Sequence, residues 1–371
     1  MKVGLLTFHN TLNYGSALQV FATQEALKKL NIECEIIDYT NQHRKNAYNT
    51  IYLAKRELKR KNISLAMKYF IGSVFIYKRK QKFIDFYRKY VNYTDKKYYS
   101  NQELKKINTK YDKFIIGSDQ VWNYNNNGND FSYLLDFVEE KNKKVSYSSS
   151  FGLKSIPDKL TDQYTKYLSL FKYLSTREDY GRKIIKELTG KEAELVLDPV
   201  FLLDKDDWLS FIKNGNKREN YIFCYTNRSN QIENFLNQTQ YPLINCKIYK
   251  LSRYLTPKDF INPKIKVCYS ISPIDFIEII SQAKLVITAS FHCVAMAIIL
   301  QVPFIAILTG DEGKDERILN ILKMTGLEKR LFNKSTDIGL VNKVIDFSDV
   351  EKRIQKYREI SLNFLENACF D

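Results

Sequence analysis

The sequence predicts an α/β fold with mostly parallel sheets, arranged as two domains. Three observations point there. Apolar runs of strand length alternate with longer segments of helical periodicity, as they do where crossover helices join parallel strands. The chain has 371 residues, more than a single hydrophobic core ordinarily serves. Its 44% hydrophobic and 14% aromatic content is that of a folded globular protein rather than a disordered one.

Six strand-like runs come first: 3–8, 34–39, 114–118, 145–150, 173–176 and 195–198. They predict a first domain over residues 1–212. A polar stretch at 214–220 reads as a linker or loop. Five further runs, 221–225, 247–251, 264–269, 285–288 and 304–308, predict a second and smaller domain over 213–345. Residues 346–371 form a last helical segment, with Ile354, Tyr357, Ile360 and Phe364 at steps of three and four. That helix is expected to pack back on the first domain. Segment 52–90 breaks the alternation and reads as an inserted helical pair.

The net charge is +16, and its distribution is uneven. Between Lys55 and Lys89 twelve Lys or Arg face only Glu57 and Asp85, so this stretch contributes +10. Such a run predicts either a solvated helical face or peripheral contact with an anionic membrane. No recognised nucleic-acid-binding motif accompanies the charge, so nucleic acid is not an expected partner. No apolar run reaches the ~20 residues of a spanning helix. The opening Met-Lys-Val-Gly-Leu-Leu-Thr-Phe reads as a strand rather than a secretion signal, which predicts a cytoplasmic protein. Cys34, Cys224, Cys246, Cys268, Cys293 and Cys369 are widely spaced and read as reduced core residues. No metal-ligand spacing is present.

In open α/β sheets ligands meet the chain beyond the carboxyl ends of the strands, so three turns carry the chemistry. The first runs from Phe8 to Ser16 and opens a helix. Asn13 or Ser16 caps it, and Gly15 either permits close approach by a ligand or simply starts the helix. The second is Gly117-Ser118-Asp119-Gln120-Val121-Trp122-Asn123. Asp119 reads as a general base or a holder of a substrate hydroxyl, and Trp122 as a flat face for a sugar ring; the alternative is a capped helix with Trp122 in a core. The third is Thr288-Ala289-Ser290-Phe291-His292, where Ser290 is placed to cap a long apolar helix. His292, one of three histidines with His9 and His43, stands in its first turn, suited to a phosphate. Arg177, and Arg317 at the opening of a helix over 318–324, are the arginines placed to hold a carboxylate or phosphate, or else to serve as surface ion-pair partners.

These turns, with Asn13-Tyr14-Gly15-Ser16-Ala17-Leu18-Gln19, Ser148-Ser149-Ser150-Phe151-Gly152, Ser175-Thr176-Arg177-Glu178 and Leu197-Asp198-Pro199, form a series that resembles the polysaccharide pyruvyltransferase family in order over most of the chain. The resemblance implies a GT-B-like fold, two Rossmann-like domains facing a cleft. It further implies phosphoenolpyruvate as co-substrate, with no other cofactor. The implied acceptor is a sugar of a bacterial surface polysaccharide such as a capsule or exopolysaccharide, or its polyprenyl-diphosphate-linked precursor at the inner face of the membrane. His292 and Asp119 would then be catalytic. Ser290, Arg177, Arg317, Asn13 and Gly15 would bind the donor, and Ser118, Gln120, Trp122 and Asn123 the acceptor. A nucleotide-sugar glycosyltransferase on the same fold is the alternative.

Overall fold

The computed structural model describes residues 1–128, 130–212, 219–226, 246–251, 263, 265–332 and 344–371. Most of the expected linker at 214–220 lies outside them. Eleven strands occur among the described residues, one in each strand-like run of the sequence. They are β1 (Lys2–Leu6), β2 (Glu33–Ile36), β3 (Lys113–Ile116), β4 (Lys144–Ser146), β5 (Ser175–Thr176), β6 (Glu194–Leu195), β7 (Tyr221–Tyr225), β8 (Lys247–Leu251), β9 (Ile265–Val267), β10 (Leu285–Thr288) and β11 (Phe304–Ala306).

The first sheet has the order β2-β1-β3-β4 and the second the order β11-β10-β7-β8-β9, with every pairing parallel. Central strands are covered on both faces, which is why β3 (Lys-Phe-Ile-Ile) and β10 (Leu-Val-Ile-Thr) are buried at every residue. β5 and β6 form their own parallel ladder, joined to the end of β4 by the bridges Val145–Tyr173 and Ser149–Thr176. β3 and β4 stop before their apolar runs do. The backbone leaves the extended region at Gly117 (φ 117°), Asp119 (φ 70°) and Ser148 (φ 52°), and so turns the chain into loops at the carboxyl edge of the sheet.

Eight helices matter to the argument. These are α1 (Tyr14–Lys29), α2 (Thr50–Lys59), α3 (Ile63–Tyr90), α4 (Asp179–Thr189), α5 (Pro273–Gln282), α6 (Phe291–Ile299), α7 (Glu312–Thr325) and α8 (Phe347–Phe370). α2 and α3 are the inserted helical pair. Asn13 is the residue that caps α1, its side chain accepting the Gly15 N–H at 3.0 Å. α7 starts six residues earlier than the spacing suggested, because Asp311 accepts the Lys314 N–H and caps it there. Arg317 therefore stands in the second turn of α7 rather than at its opening. α8 lies on the segment that follows β6: Arg358 Nε donates to the Phe201 carbonyl at 2.7 Å, and the Leu197 N–H to Ser361 Oγ at 2.9 Å.

One contiguous apolar cluster contains Leu5 and Val145 of the first sheet, Phe223 and Val286 of the second, and Phe201, Trp208 and Met296. All six cysteines are buried with free thiols. No helix among the described residues is long and apolar enough to cross a membrane.

Candidate active site

The three turns meet, and the meeting point is made of charge. Gly117 closes the end of β3 where a side chain has no room: a Cβ there would stand 2.1 Å from the Tyr147 carbonyl. The next turn holds Asp119 at positive φ, a conformation that costs a non-glycine residue about 1 kcal/mol and persists where surrounding contacts impose it. Those contacts are present. Ser16 Oγ, from the first turn of α1, donates to Asp119 Oδ2 at 2.8 Å, and Arg177 Nη2 donates to Oδ1 at 3.3 Å.

Arg177 follows β5 and is enclosed by carboxylates. Its Nη1 donates to Asp198 Oδ2 at 2.5 Å and lies 3.4 Å from Ser118 Oγ, while Nε is 3.6 Å from Glu178 Oε2. Asp198 also accepts from Ser118 Oγ at 3.1 Å and lies 3.5 Å from His292 Nε2. His292 packs on the start of α1 so closely that a Cβ on Gly15 would fall 2.1 Å from its Nδ1. Arg317 reaches in from α7, with Nη1 4.0 Å from Asp119 Oδ1, and both arginines lie over the Phe291 ring at 5.2 and 5.8 Å. The cluster is nearly sealed: Asp198 is 2% exposed, Arg177 5%, His292 6% and Asp119 7%.

Charges buried this deeply persist only when paired, and their pairing sets their acidity. Burial works to raise Asp119, but the positive groups of Arg177, His292 and Arg317 outweigh it and hold the carboxyl at about 2. Asp198 is likewise held well below the ordinary carboxylate range: the nearby imidazole and Arg177 overcome the cost of burial. Glu178 goes the other way, raised because burial dominates. Arg317 is pushed down to about 10 by burial and by the proximity of Arg177.

Several groups are left incomplete, among them Arg177 Nε and Glu178 Oε2, which face each other at 3.6 Å without a hydrogen bond. His292 Nε2 and Arg317 Nε are buried without a hydrogen-bond partner, and the side chain of Ser290 makes no capping bond to α6. Two orphaned donor positions thus converge beside a helix N-terminus whose first N–H groups lack a side-chain cap. That arrangement suits an anion.

Several sequence expectations change. Trp122 is fully buried, its Nε1 donates to the Tyr133 carbonyl at 3.1 Å, and its ring packs against Phe151 and Phe171. Both faces of the indole are covered, so it is a core residue and offers no sugar platform. Asn123 caps a short helix through the Asn125 N–H at 3.0 Å. Gln120 packs on Gly152 and accepts from Asn123 and Asn126 at 3.3 and 3.4 Å. Gln120 meets the charged cluster only through its backbone N–H, which donates to Asp119 Oδ1 at 2.9 Å, and its side chain faces away from it. Asn13 is spent on its cap. The guanidinium fork of Arg177 is taken by Asp198 and Asp119 and only its Nε is left over, whereas Arg317 donates no hydrogen bond among the described residues, which makes it the arginine with the most bonding capacity to spare. Asp119, with its acidity so high, is a weak proton acceptor, so of its two expected roles only holding and orienting fits.

Sequence reasoning assigned no part to Asp198 and gave Ser16 only a capping role, although both lie inside its quoted motifs. Glu316 reaches from α7 to accept the Tyr180 N–H at 2.9 Å and so closes the N-terminus of α4. Burial raises this carboxyl to about 7, with the negative charges of Glu178 and Asp179 adding to it. Around it α7 presses on the first sheet's loops: Gly313 lies so close to Gly152 that a Cβ would stand 2.5 Å from its carbonyl, and Lys154 pairs with Glu312. A cavity of about 590 Å³ lies elsewhere, lined by Gln301, Phe347 and Glu351 among others, and none of the cluster residues faces it.

No curated protein matches the sequence significantly. Among solved structures, a putative UDP-N-acetylglucosamine 2-epimerase from Listeria monocytogenes superposes with a TM-score of 0.50 at 11% identity, over 97% of this chain and 91% of that one. An O-GlcNAc transferase from Thermobaculum terrenum gives 0.47 at 9% identity, over 100% of this chain and 68% of that one. At 11% identity the Listeria likeness speaks for the fold alone, and with the two parallel sheets the fold is GT-B-like. The family model described as polysaccharide pyruvyl transferase matches residues 13–311, from the cap of α1 to the cap of α7, and with all the charged cluster except Glu316 and Arg317 inside that span the chain belongs to this transferase family.

Proposed function

We propose that this chain moves pyruvate from phosphoenolpyruvate to two hydroxyls of one sugar, in a bacterial surface polysaccharide or its lipid-linked precursor, forming a cyclic ketal. The observation that carries the reading is the pair of buried donors, Arg317 Nε without a hydrogen-bond partner and His292 Nε2 with only a 3.5 Å approach to Asp198, beside the uncapped start of α6. A small phosphorylated acid would complete all three at once.

The transfer balances without an outside reagent. Carbon 3 of the enol gains a proton and becomes a methyl group, and carbon 2 becomes electrophilic. One sugar hydroxyl adds to carbon 2 and gives its proton to His292, replacing the one that carbon 3 took up. The carbon–oxygen bond to phosphate then breaks, and the second hydroxyl closes the ring and loses its proton to the departing phosphate. His292 is placed to protonate the leaving oxygen or carbon 3, and Arg317 to hold the anion. Asp198 orients the imidazole, while Asp119 and Arg177 form the fixed charged floor. Ser290 borders the anion at the start of α6. Work at a lipid-linked acceptor would bring the enzyme to the inner membrane face, where the basic pair α2–α3 would meet anionic lipid.

The test is release of inorganic phosphate from phosphoenolpyruvate with a panel of lipid-linked and free oligosaccharides, together with mass spectrometry of the acceptor. Phosphate release coupled to a pyruvate ketal on the sugar is expected, and His292→Ala should abolish it in a folded protein. Absence of release over the whole panel, with UDP-sugars rather than phosphoenolpyruvate raising the melting temperature, would overturn the reading in favour of glycosyl transfer.

A further inference from the structure

Large exposed apolar side chains are scattered singly on most folded proteins and mean little there. Here they gather. Of the eleven among the described residues, six (Ile51, Tyr52, Leu58, Ile63, Met67 and Tyr77) fall within residues 51–77. All six belong to the pair α2–α3. The pair has an inner face of its own, on which Leu53, Ala54, Glu57 and Ala66 are buried, so the exposed set is an outer face. At about 100° per residue, Ile63, Met67 and Tyr77 fall within an arc of about 80° on α3, and Ile51 and Leu58 within about 20° on α2.

Basic residues surround this stripe. Lys55, Lys59, Lys61, Lys78 and Lys80 are exposed and make no ion pair among the described residues. The root of the pair is anchored firmly. Phe83 packs on Tyr14, the residue before Gly15, at 4.9 Å between rings; Arg79 Nε donates to the Tyr269 carbonyl at 2.9 Å; and Lys82 pairs with Asp275 at 2.9 Å.

We infer that α2–α3 is an interfacial anchor, lying on an anionic phospholipid surface with Leu58, Ile63 and Met67 inserted among the lipids and its lysines on the head groups. The occupant follows from charge. A second copy of the chain would bring another +10 segment against this one and be repelled, whereas an anionic leaflet attracts it and also takes up the apolar stripe. The inference deepens the reading above, in which the acceptor is held at the membrane.

Co-sedimentation of the full chain with vesicles of phosphatidylcholine alone, and of phosphatidylcholine with phosphatidylglycerol, tests it at low and high salt. Binding to the anionic vesicles only, weakened by salt, is expected. The triple variant Leu58→Ser, Ile63→Ser, Met67→Ser, altered only at exposed positions and checked by its melting temperature, should bind about tenfold more weakly or worse. Undiminished binding by that variant would refute insertion, and equal indifference of the native chain to both vesicles would refute the anchor. A native dimer that the variant dissociates, with no vesicle binding by either protein, would give the face to a second copy and overturn the inference. Vesicle binding is read without turnover, so its failure leaves pyruvyl transfer standing. Failure of phosphate release with a soluble acceptor, where vesicle binding is intact, counts against transfer alone.

Discussion

Gly15→Ala separates fold from chemistry more sharply than any other single change. Gly15 sits in the first turn of α1, where alanine would ordinarily be the better residue by about 0.5–1 kcal/mol. The position forbids it. The added methyl would stand 2.1 Å from His292 Nδ1, 2.4 Å from Cγ and 2.7 Å from Cε1, so the nearest ring atom must retreat by about 1.3 Å to reach ordinary contact. Overpacking of this kind costs about 1–3 kcal/mol. Set against the helix gain, the net loss of stability is about 0–2.5 kcal/mol, and the variant stays folded. Its chemistry should not survive as well. A displacement of about 1 Å at a reacting group is enough to cost about 100-fold in rate, and the retreat also disturbs the 3.5 Å approach of Nε2 to Asp198. The assay is phosphate release from phosphoenolpyruvate in the presence of acceptor, with a thermal melt on the same sample. A fall of about 100-fold in kcat with a folded melt is expected. Activity within about threefold of the native rate would mean that His292 does no work where the structure places it.

Three further outcomes are expected. Glu316→Gln keeps an acceptor for the Tyr180 N–H but removes the titration. A carboxyl raised to about 7 from its ordinary 4.5 adds stability that is fully present below about pH 4.5 and lost as pH rises through about 7, so native melting temperatures should fall across that window more than the variant's, by a difference of about 1–2 kcal/mol for this half-buried group. Arg317→Met should change stability by less than about 1.5 kcal/mol, since the buried guanidinium has only a long contact with Asp119; the melting-temperature rise given by phosphoenolpyruvate should vanish, and a preserved rise would remove Arg317 from donor binding. Trp122→Ala should cost about 3–5 kcal/mol as a core truncation, whereas Trp122→Phe should leave KM for the acceptor unchanged; a raised KM with an unaltered melt would restore the indole to a sugar site.

Much of the molecule was legible in the residues alone. The eleven strand positions follow from apolar runs, because a strand buried on both faces must be apolar along its length. The motif series named the family, and Asp119, Arg177, His292 and Arg317 were all singled out. Their division of labour was not legible. Trp122 and Asn123 sit in the same seven-residue turn as Asp119, yet a few residues along an irregular loop reverse the direction of a side chain, and only packing decided that the indole faces Phe151 and Phe171. Asp198 had no visible role because its partners, Ser118, Arg177 and His292, lie 80, 21 and 94 positions away.

What the sequence determined by itself was periodicity, cap chemistry and the excess of charge between Lys55 and Lys89, all properties of neighbours along the chain. What the tertiary structure alone decided was which buried charges compensate one another and which donors are left without a partner. That follows from physics: a charge's energy depends on every group within a few ångströms and on the water excluded around it, and neither quantity exists until distant segments have packed together.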